Sequence, residues 1–260
     1  MAAMTEKHDR EKKPFASFVT CVSDPALYEK YVVDSLNCMD RSCGAVERIA
    51  VDNRAGEYSA AQALNQGLDR SSGDLVVLCH QDVRFPPDWL ANLRIRIEEV
   101  GRQEPAWGVI GMAGRCADGS ISGHIMHPSG PWHYPPLPRR VQSLDELCLV
   151  LRKETGLRFD EYLDHFHLYG ADLCLESALR GMPVFAVDCC IEHRSEARRN
   201  EHWLSQKEKF IKKWWPRRNQ VGKKIYLTSG SIRLHSPLVR LIRRIFKPLR
   251  KDPLERRENR

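Results

Sequence analysis

Residues 75–90 read LVVLCHQDVRFPPDWL. Leu75 to Cys79 form an apolar run of strand length without polar alternation, which describes a strand buried on both faces. The run stops at His80-Gln81-Asp82, and Pro86-Pro87 close the loop that follows. A buried strand that ends by presenting a carboxylate has two readings. Asp82 caps its own loop, or it holds a metal ion that in turn holds a phosphate-bearing substrate.

Working outward, the signals alternate. Ser17–Val22 (SFVTCV) reads as a strand and Pro25–Leu36 as a helix with proline in its first turn. Arg48–Asp52 is a second strand, and Ser59–Leu68 is a helix with Ser59 as its N-cap. Beyond the quoted stretch, Trp89–Val100 is helical. Strand, helix, strand, helix, strand is the pattern of right-handed βαβ units on a parallel sheet. After residue 106 the order loosens. Val109–Ala113 reads as a strand, and the Gly-, Pro- and His-rich stretch that follows reads as loop or hairpin over a cleft. Ser143-Leu-Asp-Glu146 matches a capping box opening a short helix, and Cys148–Arg152 reads as a strand. Asp172–Arg180 is helical and ends at Gly181, and Val184–Val187 is a last strand.

The 260 residues suit one large α/β domain, or one domain with an appendage. No window reaches the ~18 apolar residues of a membrane span, and the charged start carries no apolar signal segment. Nine cysteines at irregular spacing, without a CxxC pair, point to reduced thiols and away from structural zinc. The net charge of +7 hides a division: residues 1–193 carry a net −8 and residues 194–260 a net +15. The acidic part is expected to carry the fold and the basic part to meet something anionic.

Ligands of open parallel sheets sit beyond the carboxyl ends of the strands. Three such ends carry polar groups: Ser23-Asp24, Asp52-Asn53 and His80-Gln81-Asp82. Each acid taken singly is also an ordinary turn former. No GxGxxG follows the first strand and no GxxxxGK[ST] occurs, which disfavours a dinucleotide fold and a P-loop.

Five stretches carry a family resemblance: FVTCVSDPALYEKYVVDSL, AVDNRAGEYSAAQALNQGL, GDLVVLCHQDVRF, GLRFDEYLDHFHLYGADLCLESALRGM and VDCCIEH. Over about residues 15–195 the chain resembles GT-A glycosyltransferases of the family 2 type, in the bacterial branch that writes Asp-x-Asp as His-Gln-Asp. The resemblance implies a GT-A-like α/β domain at 15–200 with a mostly parallel central sheet flanked by helices. A charged extension (1–14) would precede it and a basic helical appendage (201–260) would follow. It further implies metal-dependent, inverting transfer of a sugar from a nucleotide-diphosphate donor to a glycan or lipid-linked glycan. Asp82 and His193 would hold Mn²⁺ or Mg²⁺, offsetting the charge of the leaving diphosphate. Ser23, Asp24, Asp52, Asn53, His80 and Gln81 would line the donor site. Asp172 would be the general base, with Asp164 and Glu161 in reserve; a register shifted by two places Gly170 at the base position instead. Phe166-His167 and Trp132-His133-Tyr134 would face the acceptor.

The tail lies outside the resemblance. From Ser236-Pro237 to Pro248, Leu238, Leu241, Ile242 and Ile245 share one helical face, and Arg240, Arg243, Arg244 and Lys247 the other. Such a helix suits an anionic membrane surface, with EKFIKKWWPRR (208–218) adding aromatic and basic groups. No nucleic-acid motif accompanies it. The expected location is cytoplasmic, peripheral on the inner membrane face. The rival functions are a sugar nucleotidyltransferase and a non-catalytic sugar-nucleotide binder.

Overall fold

The structure is a computed structural model that describes residues 13–194 and 201–236. Its centre is a seven-stranded sheet in the order β2-β1-β3-β11-β5-β12-β9. The strands are β1 (Ala16–Val22), β2 (Val46–Asp52), β3 (Leu75–Cys79), β5 (Val109–Gly111), β9 (Arg139–Val141), β11 (Cys148–Arg152) and β12 (Val184–Ala186). β1, β2 and β3 are parallel neighbours, as are β5 and β12. The sheet is nonetheless mixed: β11 runs antiparallel between β3 and β5, and β9 antiparallel to β12. The sequence expectation of a mostly parallel sheet is corrected in this half. The connections into β9 and β11 carry no long helix, so nothing obliges those strands to run parallel.

Successive side chains of β3 serve two cores. Val77 joins the layer built by α1 (Pro25–Tyr28), a π-helical turn (Glu29–Val33), α2 (Asp34–Asn37) and α4 (Trp89–Gln103). Val76 and Leu78 join the opposite layer with α3 (Ala60–Arg70) and α5 (Tyr169–Leu179). That two-sided burial is why residues 75–79 lack polar alternation. Ser59 caps α3 in a full capping box with Gln62.

The stretch expected as loop or hairpin does hold a hairpin, β7–β8, and it belongs to a second sheet in the order β10-β6-β7-β13-β4. It contains β4 (Val83–Arg84), β6 (Ala113–Arg115), β7 (Ile121–His127), β8 (Gly130–Tyr134), β10 (Ser143–Leu144) and β13 (Glu192–His193). The helix expected from Ser143-Leu-Asp-Glu146 is absent. Ser143 and Leu144 pair with Arg115 and Gly114 instead, and those ladder bonds replace the local cap.

Residues 203–234 add α6 (Trp203–Trp214), α7 (Arg218–Val221) and a hairpin of β14 (Lys224–Leu227) and β15 (Gly230–Arg233). They share a core with α5: Phe210, Ile211, Trp214, Ile225 and Ile232 pack with Ala171 and Leu175. Trp214 of the basic aromatic stretch is 0% exposed, so it serves this core and not a membrane surface. The amphipathic segment with Leu238, Leu241, Ile242 and Ile245 lies outside the described residues. No helix among the described residues is long and apolar enough to cross a membrane.

Candidate active site

The ends of β1 and β3 frame a cleft of about 290 Å³, lined by Ser23, His80, Gln81, Asp82, Glu146, Phe166 and Tyr169 among others. Gln81 staples the two strand ends. Its Oε1 accepts from the backbone N–H groups of Ser23 and Asp24, both at 2.9 Å, and its Nε2 donates to Ser23 Oγ at 3.0 Å.

After Cys79 the chain leaves the central sheet and re-enters order as β4 of the second sheet. β13 pairs there with β4, placing His193 opposite Val83 and its ring against Asp82. The result is a group of half-buried His80 with buried Asp82 and His193, whose ligand atoms all lie within 4.8 Å of one another. His193 Nε2 is 3.5 Å from Asp82 Oδ2, too long for a good hydrogen bond, and it is buried without a partner. His80 Nε2 lies 3.1 Å from the Tyr169 hydroxyl, and burial, then the neighbouring His193, push the His80 pKa down. A neutral imidazole, a second imidazole with an orphaned nitrogen and a carboxylate form a donor set that suits a divalent ion. The residues therefore fit the metal that the sequence led us to expect. A second group, His124, His133 and Asp188, lies on the β7–β8 side; it is more exposed, and Asp188 already bonds His124 Nδ1 at 2.5 Å.

Other expected residues lie elsewhere. Asp24 caps α1 by accepting from the Leu27 N–H. Asn53 is buried and clasps its own loop through the Tyr58 N–H and C=O, both at 2.9 Å. Asp52 is exposed at a separate hollow, where bonds from Arg54 bring its pKa down to about 2. Phe166 lines the cleft and is 46% exposed. Trp132 stacks on His127, whose ring approaches His193 to 6.0 Å.

Asp172 lies in the first turn of α5 but is not its N-cap. Leu168 holds that position, and Asp172 is 1% exposed. Lys213 Nζ meets its Oδ2 at 2.7 Å and Trp214 Nε1 donates to its Oδ1 at 2.8 Å. Burial outweighs the pull of Lys213 and raises its pKa to about 6. It is absent from the cleft lining. The reserves are engaged too: Asp164 pairs with Lys209 at 2.5 Å, and Glu161 accepts from Asn65 at 2.9 Å.

Sequence reading missed Glu146 and Tyr169. Glu146 lines the cleft, where burial pushes its pKa up to about 8 against the pull of the Gly170 and Leu168 backbone. Tyr169 meets His80. Glu146 belongs to a tetrapeptide that reads as a capping box, so its carboxyl was assigned to a local bond.

A mixed α/β sheet with a cation-ready group at the strand ends is the architecture of GT-A glycosyltransferases. Residues 17–220 match the model of the glycosyltransferase-like family, and the chain belongs to that family. It is 30% identical over 230 residues to a protein of Fuscovulum blasticum, ATP synthase subunits region ORF 6, covering 84% of this chain and 90% of the relative. Among solved structures it is similar to GalNAc-T7 with UDP, GalNAc and Mn²⁺, with TM-score 0.53 and 11% identity, covering 91% of this chain and 55% of that one. It is also similar to the mannosyltransferase PcManGT of Pyrobaculum calidifontis in complex with GDP-Man and Mn²⁺, with TM-score 0.49 and 15% identity, covering 79% and 63%. The chain thus spans between half and two thirds of the length of these solved structures.

Proposed function

We propose that this protein is a metal-dependent glycosyltransferase that moves a sugar, with inversion, from a nucleotide-diphosphate donor to a glycan or lipid-linked glycan. The observation that carries the reading is the buried His193 Nε2 left without a partner beside Asp82. A fold ordinarily satisfies such an atom, and leaving it bare costs about 1–3 kcal/mol. Asp82 and His193, with His80 in reach, would hold a divalent ion, which would remove that cost and supply positive charge to offset the leaving diphosphate. Mn²⁺ is favoured over Mg²⁺ because two imidazoles are soft partners for Mg²⁺. Ser23 and Gln81 hold the strand ends on the donor side, and Asp52, in its separate hollow, is the group proposed for the ribose or base. Asp24 and Asn53 support the two loops from behind.

Asp82→Asn tests the reading by isothermal titration of UDP and GDP with and without Mn²⁺. The near-isosteric amide should abolish the Mn²⁺-dependent part of the affinity and leave the far-UV spectrum unchanged. Unaltered Mn²⁺-dependent affinity returns Asp82 to the role of loop cap. A non-catalytic binder is the second reading, favoured by the engagement of Asp172 with Lys213 and Trp214. Release of UDP or GDP from nucleotide sugars with Mn²⁺ separates the two.

A further inference from the structure

Attack by an acceptor hydroxyl requires a group that takes its proton, and α5 lends the cleft lining a tyrosine but no carboxylate. Glu146 lies in the turn between β10 and β11 and lines the cleft together with His80, Asp82, Phe166 and Tyr169. The charged side chain that acts on it is that of Asp145, a second acid, which adds to the upward push. The partners of Glu146 are backbone donors: the Gly170 N–H at 2.9 Å from Oε1, and the Leu168 backbone. A carboxylate has about four acceptor sites, so two N–H bonds leave capacity for a proton from a bound hydroxyl.

The surrounding backbone is shaped around this side chain. A Cβ at position 170 would lie 2.6 Å from Glu146 Cγ, so any residue but glycine there displaces it. Leu168 holds φ = 68°, in the left-handed region, a conformation that a non-glycine residue rarely adopts. Both features lie in the two residues whose backbone meets the carboxylate. Glu146 is half-buried, partly withdrawn from water yet open to the cleft. Asp172 differs in each respect: both its oxygens are taken, and it lies outside the cleft lining.

We propose that Glu146 is the catalytic base that receives the proton of the attacking acceptor hydroxyl, an assignment that rests on the glycosyl-transfer reading of the cleft. As the acceptor oxygen bonds to the anomeric carbon, the bond from that carbon to the diphosphate oxygen breaks. The nucleoside diphosphate leaves with the bonding pair, and the hydroxyl proton passes to a Glu146 oxygen. Charge and atoms balance without a further reactant. A group that titrates near the operating pH is suited to accept a proton in the transition state.

The test uses the full chain with UDP-GlcNAc and with GDP-mannose, each with Mn²⁺, reading release of UDP or GDP to water. Glu146→Gln keeps an oxygen for the Gly170 N–H and removes the basicity. Its kcat should fall ~10²–10⁴-fold, with affinity for UDP–Mn²⁺ or GDP–Mn²⁺ within about threefold of wild type. Glu146→Ala, read in parallel, should be inactive and partly restored by added formate, which a structural role does not allow. Wild-type kcat in Glu146→Gln, beside an inactive Asp82→Asn, overturns the assignment alone. Equal losses in kcat and in nucleotide affinity, or no response of Glu146→Ala to formate, make Glu146 a structural group and also overturn it. A wild-type protein that binds the nucleotides with Mn²⁺ yet releases nothing from either donor overturns the transfer reading, and the base falls with it.

Discussion

Lys213→Met decides whether Asp172 is structural. Lys213 Nζ lies 2.7 Å from Asp172, 2.8 Å from Asp160 and 3.3 Å from Glu176, with its side chain only 14% exposed. Methionine fills a similar volume without charge, so the loss is electrostatic. Asp160 and Glu176 are 38% and 22% exposed and can turn to solvent, and Glu176 keeps Arg217 at 3.1 Å. Asp172, 1% exposed, keeps only the Trp214 N–H. Unpairing a buried charge costs ~3–5 kcal/mol, and the partial exposure of Lys213 argues for ~3. At ~2–4 °C per kcal/mol for a chain of this size, the melting temperature should fall by ~6–12 °C, measured by circular dichroism. Adding Asp172→Asn to Lys213→Met should recover part of that loss, because the buried group no longer carries charge. A shift below ~2 °C for Lys213→Met refutes the structural assignment. So does an Asp172→Asn protein of normal stability whose turnover has dropped ~100-fold, since a base and not a brace then stood at that position.

His193→Leu removes a buried nitrogen that has no partner, so in EDTA its melting temperature should equal or exceed that of wild type, while Mn²⁺-dependent nucleotide affinity falls at least about tenfold; a large thermal loss without a binding loss refutes the ligand role. The folded-state pKa of Asp172 is raised from 3.8 to about 6, so the fold favours its protonated form. The stability advantage of wild type over Asp172→Asn should therefore be greatest below pH 4 and shrink as pH rises through 6, as denaturant midpoints would record; an advantage that grows over that window contradicts the burial argument. For the tail, we expect the full chain to co-sediment with anionic liposomes and a truncation after Ser236 to do so far less, with high salt weakening the association. Cutting after Ser229 is the wrong control, because it deletes β15, whose Ile232 belongs to the α6 core.

The parts of the fold legible in the sequence are those whose cause is local. The strand at 75–79 announces itself because both its faces are buried, and Ser59 announces α3 because a capping box is complete within four residues. Ser143-Leu-Asp-Glu146 presents the same local pattern and folds otherwise. Its partners lie far off in the chain: Arg115 and Gly114 take its backbone, the Tyr226 carbonyl accepts from Ser143 Oγ, and Gly170 donates to Glu146. Phe210, Ile211 and Trp214 sit at helical spacing in a run of lysines, and only the presence of α5 makes that stripe a core instead of a membrane face.

The same distinction governs the candidate site. Asp82 and His193 could be paired from family resemblance, yet the physical reason for their meeting is the β4–β13 ladder, which joins residues more than a hundred positions apart. The acids of the HLYGADLCLES stretch (167–177) and of SLDE (143–146) cannot be ranked by their neighbours. Asp172 follows a glycine-alanine pair at the opening of a helix and reads as an available carboxylate, but α6 arrives from 41 residues away and closes over it. Glu146 reads as a cap, but the helix it would cap does not form, and its side chain turns into the cleft. What the sequence does hold is the glycine at 170. A missing side chain beside a cleft has meaning only once the atom filling its place is known, and here that atom is Glu146 Cγ. The glycine on α5 and the glutamate in the turn before β11 are then one feature: the helix carries no side chain where Glu146 stands.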